Sequence, residues 1–186
     1  MPEQEIIKKA KNNMNSAVKK LSEELRSIRT GRASAGILEG IRVDYYGSKL
    51  PINQIGNINI PQPRLIEIKV WDENAVPHVE KAIISSNIGL NPNTDGKTIR
   101  LQVPSLTSER REELIKRIHA IVEDFRIEIR NIRRDANDEI KKMEKNSTIS
   151  EDQSYRLQEK IQEITNENIE EINKLLEKKE KEIKEE

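Results

Sequence analysis

The chain has 186 residues, with 33 Lys and Arg against 33 Asp and Glu, so its formal charge sums to zero although 35% of positions are charged. It has no cysteine and only five aromatic residues, Tyr45, Tyr46, Trp71, Phe125 and Tyr155. This excludes a disulfide framework, a zinc ribbon, a thiolate cluster and a Cys nucleophile. The longest apolar runs are triplets such as Ala82-Ile83-Ile84, and Met1-Pro2-Glu3-Gln4-Glu5 lacks the look of a secretory or transit signal. A cytoplasmic protein without membrane contact is the expectation.

Charge and helix breakers are unevenly placed. Residues 1–29 carry net +3, residues 30–104 and 105–146 each +1, and residues 147–186 net −5. An acidic tail argues against a histone-like protein that coats nucleic acid indiscriminately, so any RNA contact needs a local basic surface. All seven glycines lie between Gly31 and Gly96, and six of the seven prolines between Pro51 and Pro104. Breakers therefore delimit a middle module, residues 31–104, inserted into an otherwise helical chain made of residues 1–30 and 105–186.

In chain order, Ile7, Ala10, Met14, Ala17 or Val18, Leu21, Leu25 and Ile28 form the seam of a first amphipathic helix. It is expected to stop near Thr30, with Gly31 as its C-terminal cap. The module reads as α+β: strands over 41–46, 58–60, 65–70 and 98–103, a turn at Gly47-Ser48, a short helix around Val79, Ala82 and Ile83, and a loop at Gly89-Leu90-Asn91-Pro92-Asn93. A second helix is expected after Pro104, with Thr107 or Ser108 as N-cap and a seam of Ile118, Val122, Phe125, Ile129, Ile132, Ala136, Ile140 and Met143. A third opens on the capping box Ser150-Glu151-Asp152-Gln153 and buries Leu157, Ile161, Ile164, Ile172, Leu175 and Ile183, with Asn168 interrupting the seam. Helices this polar are marginal alone and must bury their seams against one another, which makes a three-helix bundle.

Several motifs carry little chemistry. Asp95-Gly96-Lys97-Thr98 ends like a phosphate-binding loop, but position 91 is Asn where the motif needs Gly, and a strand follows the Lys; a hairpin turn is the better reading. His78 and His119 have no partner at ligand spacing, so neither a metal nor another cofactor is expected. Asn146-Ser147-Thr148 fits a glycosylation sequon but sits where a helix connection belongs.

The second helix holds the main candidate. At about 100° per residue from the apolar seam, Arg126, Arg130, Arg133 and Arg134 fall at roughly +60° to +160°. Asp124, Glu128, Asp135, Asp138 and Glu139 fall on the opposite flank, with Glu123 and Lys142 as exceptions. Spacing alone leaves open a solvated, salt-bridged face. The alternative is phosphate binding, since the guanidinium fork grips phosphate bidentately. No aromatic residue lines the stripe for base stacking, so backbone and shape contacts on folded RNA are the form it would take.

Five ordered segments then carry a resemblance over essentially the whole chain: Ile28-Arg29-Thr30-Gly31-Arg32-Ala33-Ser34, Tyr45-Tyr46-Gly47, Gly89 to Asn93, Leu106-Thr107-Ser108-Glu109-Arg110-Arg111 and Arg130 to Asp138. Together they closely resemble the bacterial ribosome recycling factor family. The resemblance implies an α+β fold, an elongated three-helix bundle with a small inserted β/α/β domain, L-shaped overall. It also implies a monomeric, non-enzymatic translation factor that binds the post-termination ribosome and, with the GTPase elongation factor G, splits it into subunits. Arg130 and Arg133 match the family's large-subunit ribosomal RNA grip, and Arg134 is their neighbour. Arg29, Thr30, Gly31, Arg32, Pro104, Ser105 and Leu106 match the hinge, which a proline at position 31 is expected to stiffen. The chain departs from the pattern at Leu50-Pro51, where relatives often have Thr-Pro, and in a terminus, Lys181 to Glu186, without an apolar last residue. A coiled-coil interaction protein using the acidic third helix would instead oligomerise without binding ribosomes, and an enzyme would need a convergent polar site in the module.

Overall fold

The computed structural model describes residues 2–184; Met1, Glu185 and Glu186, which the expected bundle includes, lie outside the described residues. Its helices are α1 (Pro2–Ser27), α2 (Val76–Ser85), α3 (Ser108–Lys145) and α4 (Glu151–Lys184). The chain divides into two compact units. One joins the residues up to Arg29 with those from Ser108 onward; the other is Thr30–Thr107. The composition-based boundaries at 30/31 and 104/105 lie within three residues of these divisions.

The first unit is a bundle of α1, α3 and α4, each packed on the other two. At about 1.5 Å per residue their 26, 38 and 34 residues give lengths of roughly 39, 57 and 51 Å. Buried apolar side chains follow the helical period, three or four positions apart along α1 (Ala10, Met14, Ala17, Leu21 and Leu25). They stand at three, four, seven or eight positions on α3 (Ile118, Val122, Ile129, Ala136 and Ile140) and α4 (Ile161, Ile164 and Ile172), with half-buried Phe125 and Ile132 filling the gaps on α3. Two seam positions shift by one residue, because Ile6 and Leu176 are buried where Ile7 and Leu175 were expected. In each case two adjacent apolar residues fit the period equally well. Asn168 is buried and its amide nitrogen donates 2.8 Å to the Ile164 carbonyl of its own helix.

The helix ends follow local chemistry. In α4 the Ser150 Oγ accepts from the Gln153 amide at 3.2 Å and Gln153 Oε1 accepts from the Ser150 amide at 2.9 Å, the reciprocal box read in the sequence. Helix α3 stops where Ser147 takes φ 58° and the Thr148 amide donates back to the Met143 carbonyl at 2.9 Å, so the sequon is a helix connection. Helix α1, however, ends at Ser27 rather than near Thr30. There the Ser27 hydroxyl donates to the Glu24 carbonyl at 2.7 Å and the Ile28 amide to Leu25 at 3.3 Å, tightening the last turn. Gly31 is thus not the cap of α1, and its left-handed backbone serves the connecting segment instead.

The second unit holds strands β1 (Arg42–Tyr45), β2 (Ser48–Pro51), β3 (Gly56–Gln62), β4 (Leu65–Val70), β5 (Pro92–Asp95) and β6 (Thr98–Gln102). β1 and β2 form a hairpin turned by Tyr46 and Gly47, both at positive φ; the other four form an antiparallel sheet in the order β3-β4-β6-β5. Ile66, Ile68, Ile99 and Leu101 point into a core shared with Val43, Val79 and Ile83. Gly56 faces Val70 in the ladder, where a Cβ would come within 2.6 Å of the Lys69 carbonyl oxygen. Strands β2 and β5 were not expected, and Pro92-Asn93 belongs to β5 rather than to a loop. The turn at Gly96 joins β5 to β6, with Asp95 paired to Thr98, so Asp95 to Thr98 is a hairpin turn.

The connecting segments are anchored at one point of this unit. The Ala33 amide donates to the Pro63 carbonyl at 2.7 Å and the Val103 amide to the Arg64 carbonyl at 2.8 Å. Pro63 and Arg64 form the turn between β3 and β4. Residues 30–32 and 104–107 lie between these anchors and the flanking helices, with neither helix nor strand conformation.

Candidate nucleic-acid interface

Arg126, Arg130 and Arg133 come together with polar residues of α4 around an open cleft of about 420 Å³. Their spacing of four and three residues on α3 places the three guanidinium groups along one flank, beside the buried stripe of Val122, Ile129 and Ala136. The opposite wall is Gln162, Asn166 and Asn173, with Thr165 and Ile169 between them. Arg134 does not line the cleft and is exposed.

Each guanidinium in the cleft is oriented by a neighbour. Arg126 Nη2 donates to Asn173 Oδ1 at 2.6 Å, and Arg133 Nη1 donates to Gln162 Oε1 at 3.2 Å. Gln162 in turn donates to Asn166 Oδ1 at 2.8 Å. Glu123 is the one acid of the cleft: its carboxylate lies 3.3 Å from Arg126 Nη1 and 3.2 Å from Arg130 Nη2. With three arginines against one glutamate the cleft is net positive, and a guanidinium fork is a donor suited to anionic oxygens. The α4 amides escaped the sequence reading, because polar residues in a polar helix raise no contrast. Their signal was positional: Gln162, Asn166, Ile169 and Asn173 repeat at four, three and four residues, a second stripe beside the apolar one.

The hinge candidates form a second grouping. Gly31 has φ +76°, and a Cβ there would stand 2.9 Å from Leu106 Cγ, so the incoming and outgoing segments are packed together. Arg29, Pro104 and Ser105 are exposed, while Thr30, Arg32 and Leu106 are half-buried.

Other polar groupings are structural in character. Tyr45 donates its hydroxyl to Asp72 Oδ2, and its ring packs edge-on against His78 with centroids 5.8 Å apart. The hydrogen bond to Asp72 pushes the Tyr45 hydroxyl well above the usual tyrosine range. The same bond, helped by the Asn74 amide, holds the Asp72 carboxyl below its usual value. His119 on α3 is bonded to Glu180 on α4. Burial works to raise the Glu180 carboxyl, but the bond to His119 and the nearby Lys184 outweigh it and leave it lowered. Among the described residues no group of three or more His, Cys, Asp or Glu could hold a metal. No described helix is long and apolar enough to cross a membrane.

Comparison with known proteins gives one consistent answer. The family model described as Ribosome recycling factor matches residues 21–183. The ribosome-recycling factor of Natranaerobius thermophilus is 51% identical over 178 residues, covering 96% of this chain and 97% of that one. That of Clostridioides difficile is 50% identical over 181 residues, covering 97% and 98%. A solution structure of the ribosome recycling factor superposes with a TM-score of 0.77 at 46% identity, covering 98% of this chain and 97% of the other. A second match, at TM-score 0.66 and 40% identity over 98% and 99% of the chains, comes from models for the T. thermophilus ribosome recycling factor and the E. coli elongation factor G bound to the E. coli post-termination complex. With a three-helix bundle interrupted by a small α+β unit, and with matches along nearly its full length, the chain belongs to the ribosome recycling factor family.

Proposed function

We propose that this non-enzymatic recycling factor acts with elongation factor G on the post-termination ribosome, holding large-subunit ribosomal RNA through the cleft between α3 and α4. In this reading Arg126, Arg130 and Arg133 clamp phosphodiester oxygens of the RNA backbone, and Arg134 adds positive charge at the edge. The observation that carries the reading is the convergence of three oriented guanidinium groups on one open, water-accessible cleft. Without a stacking aromatic in that cleft, the contact is to backbone and shape rather than to base faces.

The remaining parts follow as mechanics. The bundle, residues 1–30 and 105–186, is the anchored body, and the inserted domain, residues 31–104, is the part on which the GTPase pushes within the intersubunit space. Arg29, Thr30, Gly31, Arg32, Pro104, Ser105 and Leu106 are the hinge. The stretches between the Ala33 and Val103 anchors and the helices are the only covalent ties available for bending. No nucleotide energy enters through this chain.

The test is salt-dependent sedimentation of the full chain with vacant ribosomes. Arg130→Ala/Arg133→Ala should weaken binding by about tenfold or more at low salt, each charge-assisted bond being worth about 1.5–3 kcal/mol before solvent screening. The slope of log affinity against log salt should fall by about 0.7–0.9 for each phosphate no longer neutralised. Helical content and melting should change little, since the arginines' own partners are exposed. Wild-type affinity and slope in the double variant would overturn the anchor.

A further inference from the structure

Glu123 interrupts the basic flank of α3, and the RNA reading alone gives it no task. Its carboxylate lies inside the cleft, where each oxygen meets a different guanidinium: Oε1 faces Arg130 Nη2 at 3.2 Å and Oε2 faces Arg126 Nη1 at 3.3 Å. A planar anion that offers one oxygen to each of two guanidinium groups has the same contact pattern as the two unesterified oxygens of a phosphodiester. The side chain is 46% exposed, so nearly half of it already faces solvent, toward which it can swing once its two ion pairs are broken. Arg126 keeps its aim through Asn173, whether or not the carboxylate is there. Arg133 stands apart from this arrangement, because its bond is to the neutral amide of Gln162.

We propose that Glu123 is a built-in stand-in for phosphate: it occupies the Arg126–Arg130 part of the cleft in the free protein, and an RNA phosphodiester displaces it on binding. The inference rests on the RNA reading of the cleft. Displacement costs the two internal ion pairs each time the factor binds, so Glu123 lowers affinity and favours release of a factor that must leave after each round. It also keeps two guanidinium groups from pairing with the wrong anion beforehand. Arg133, whose charge is not offset by an acid in the cleft, makes the uncompensated contact.

The test compares Glu123→Gln with Glu128→Gln in the full chain, using vacant ribosomes as the probe across a salt series. Glu128 is exposed on the same helix and does not line the cleft, so its variant changes net charge equally. Glu123→Gln is expected to bind about three- to tenfold more tightly at low salt, as two partly exposed pairs no longer compete. Its log-salt slope should steepen by about 0.7–0.9. Glu128→Gln should gain less than about twofold, its charge lying outside the cleft and screened. The gain should vanish when Glu123→Gln is combined with Arg126→Ala/Arg130→Ala and persist when it is combined with Arg133→Ala. Equal gains in the two glutamine variants, or no gain at Glu123, would overturn the proposal while Arg130→Ala/Arg133→Ala still weakened binding. Undiminished binding of that arginine variant would instead overturn the RNA reading, and this inference with it.

Discussion

Replacing Gly31 by alanine places a methyl group against Leu106. At φ +76° a residue with a Cβ carries a left-handed backbone cost of about 1–2 kcal/mol. The new carbon would stand 2.9 Å from Leu106 Cγ and 3.4 Å from its Cδ1, inside the optimal separation of roughly 3.5–4.0 Å. Since Leu106 is a half-buried side chain rather than backbone, moving it should add about 1 kcal/mol, the low end of overpacking. The total is about 2–3 kcal/mol. In a Leu106→Ala background the obstructing atoms are gone, so Gly31→Ala should cost only the backbone part, and the cycle should show a coupling of about 1 kcal/mol. Trp71, the single tryptophan, belongs to the inserted unit, so its fluorescence during urea unfolding reports on that unit while far-ultraviolet circular dichroism reports mainly on the bundle. Subunit splitting with elongation factor G, followed by light scattering, should slow in Gly31→Ala and partly recover in the double variant, with ribosome binding unchanged in both. Additivity within about 0.3–0.5 kcal/mol would refute the packing argument, and normal splitting in Gly31→Ala would refute the hinge. Proline is the wrong probe: its φ is locked near −65°, so at a position with φ +76° it would break the segment rather than stiffen it.

Other expectations are simpler to check. Asp72→Asn should return the Tyr45 hydroxyl toward the usual tyrosine range, so that its step in an ultraviolet titration moves to lower pH. The signs at this pair are opposite at its two ends. Stability from the raised Tyr45 is complete below the usual pKa of 10.0 and is lost as alkaline pH rises through its folded value. Stability from the lowered Asp72 is present above 3.8 and is lost as pH falls through its folded value. In Asp72→Asn the acid dependence should disappear and the alkaline one should shrink, since burial and the Tyr46 contact still raise Tyr45. Ser150→Ala removes the acceptor of the Gln153 amide and should cost about 1 kcal/mol of bundle stability by thermal melting, with the second unit's Trp71 signal unaffected.

How far the sequence reaches is visible in particular residues. Ser150 and Gln153 could be read because a capping box is a local motif with a fixed offset. The bundle seams could be read because burial enforces helical periodicity, although Ile6 against Ile7 and Leu176 against Leu175 is settled only by which neighbour the packing takes. Strands β2 and β5 left no trace: Ser48–Pro51 and Pro92–Asp95 contain no fully buried side chain, so neither shows apolar alternation. The end of α1 was missed because Ser27 terminates it with a side-chain bond, whereas Gly31 advertises a stop four residues later. In the cleft, the arginines stood out by sign segregation. Gln162, Asn166 and Asn173 needed the docking of α4 on α3, a pairing between residues some 30 to 50 positions apart that no local pattern encodes.

The two anchors of the inserted unit lie side by side, on Pro63 and Arg64 of a single hairpin turn. A tug on that unit through its covalent ties therefore arrives at one corner of the sheet and is shared by two adjacent hydrogen bonds in parallel. Had the chain entered at one edge and left at the other, the same tug would stretch the ladder and peel its strands in sequence. Loaded at a single corner, the ladder is spared from its edge inward, and those two bonds are the first to give way.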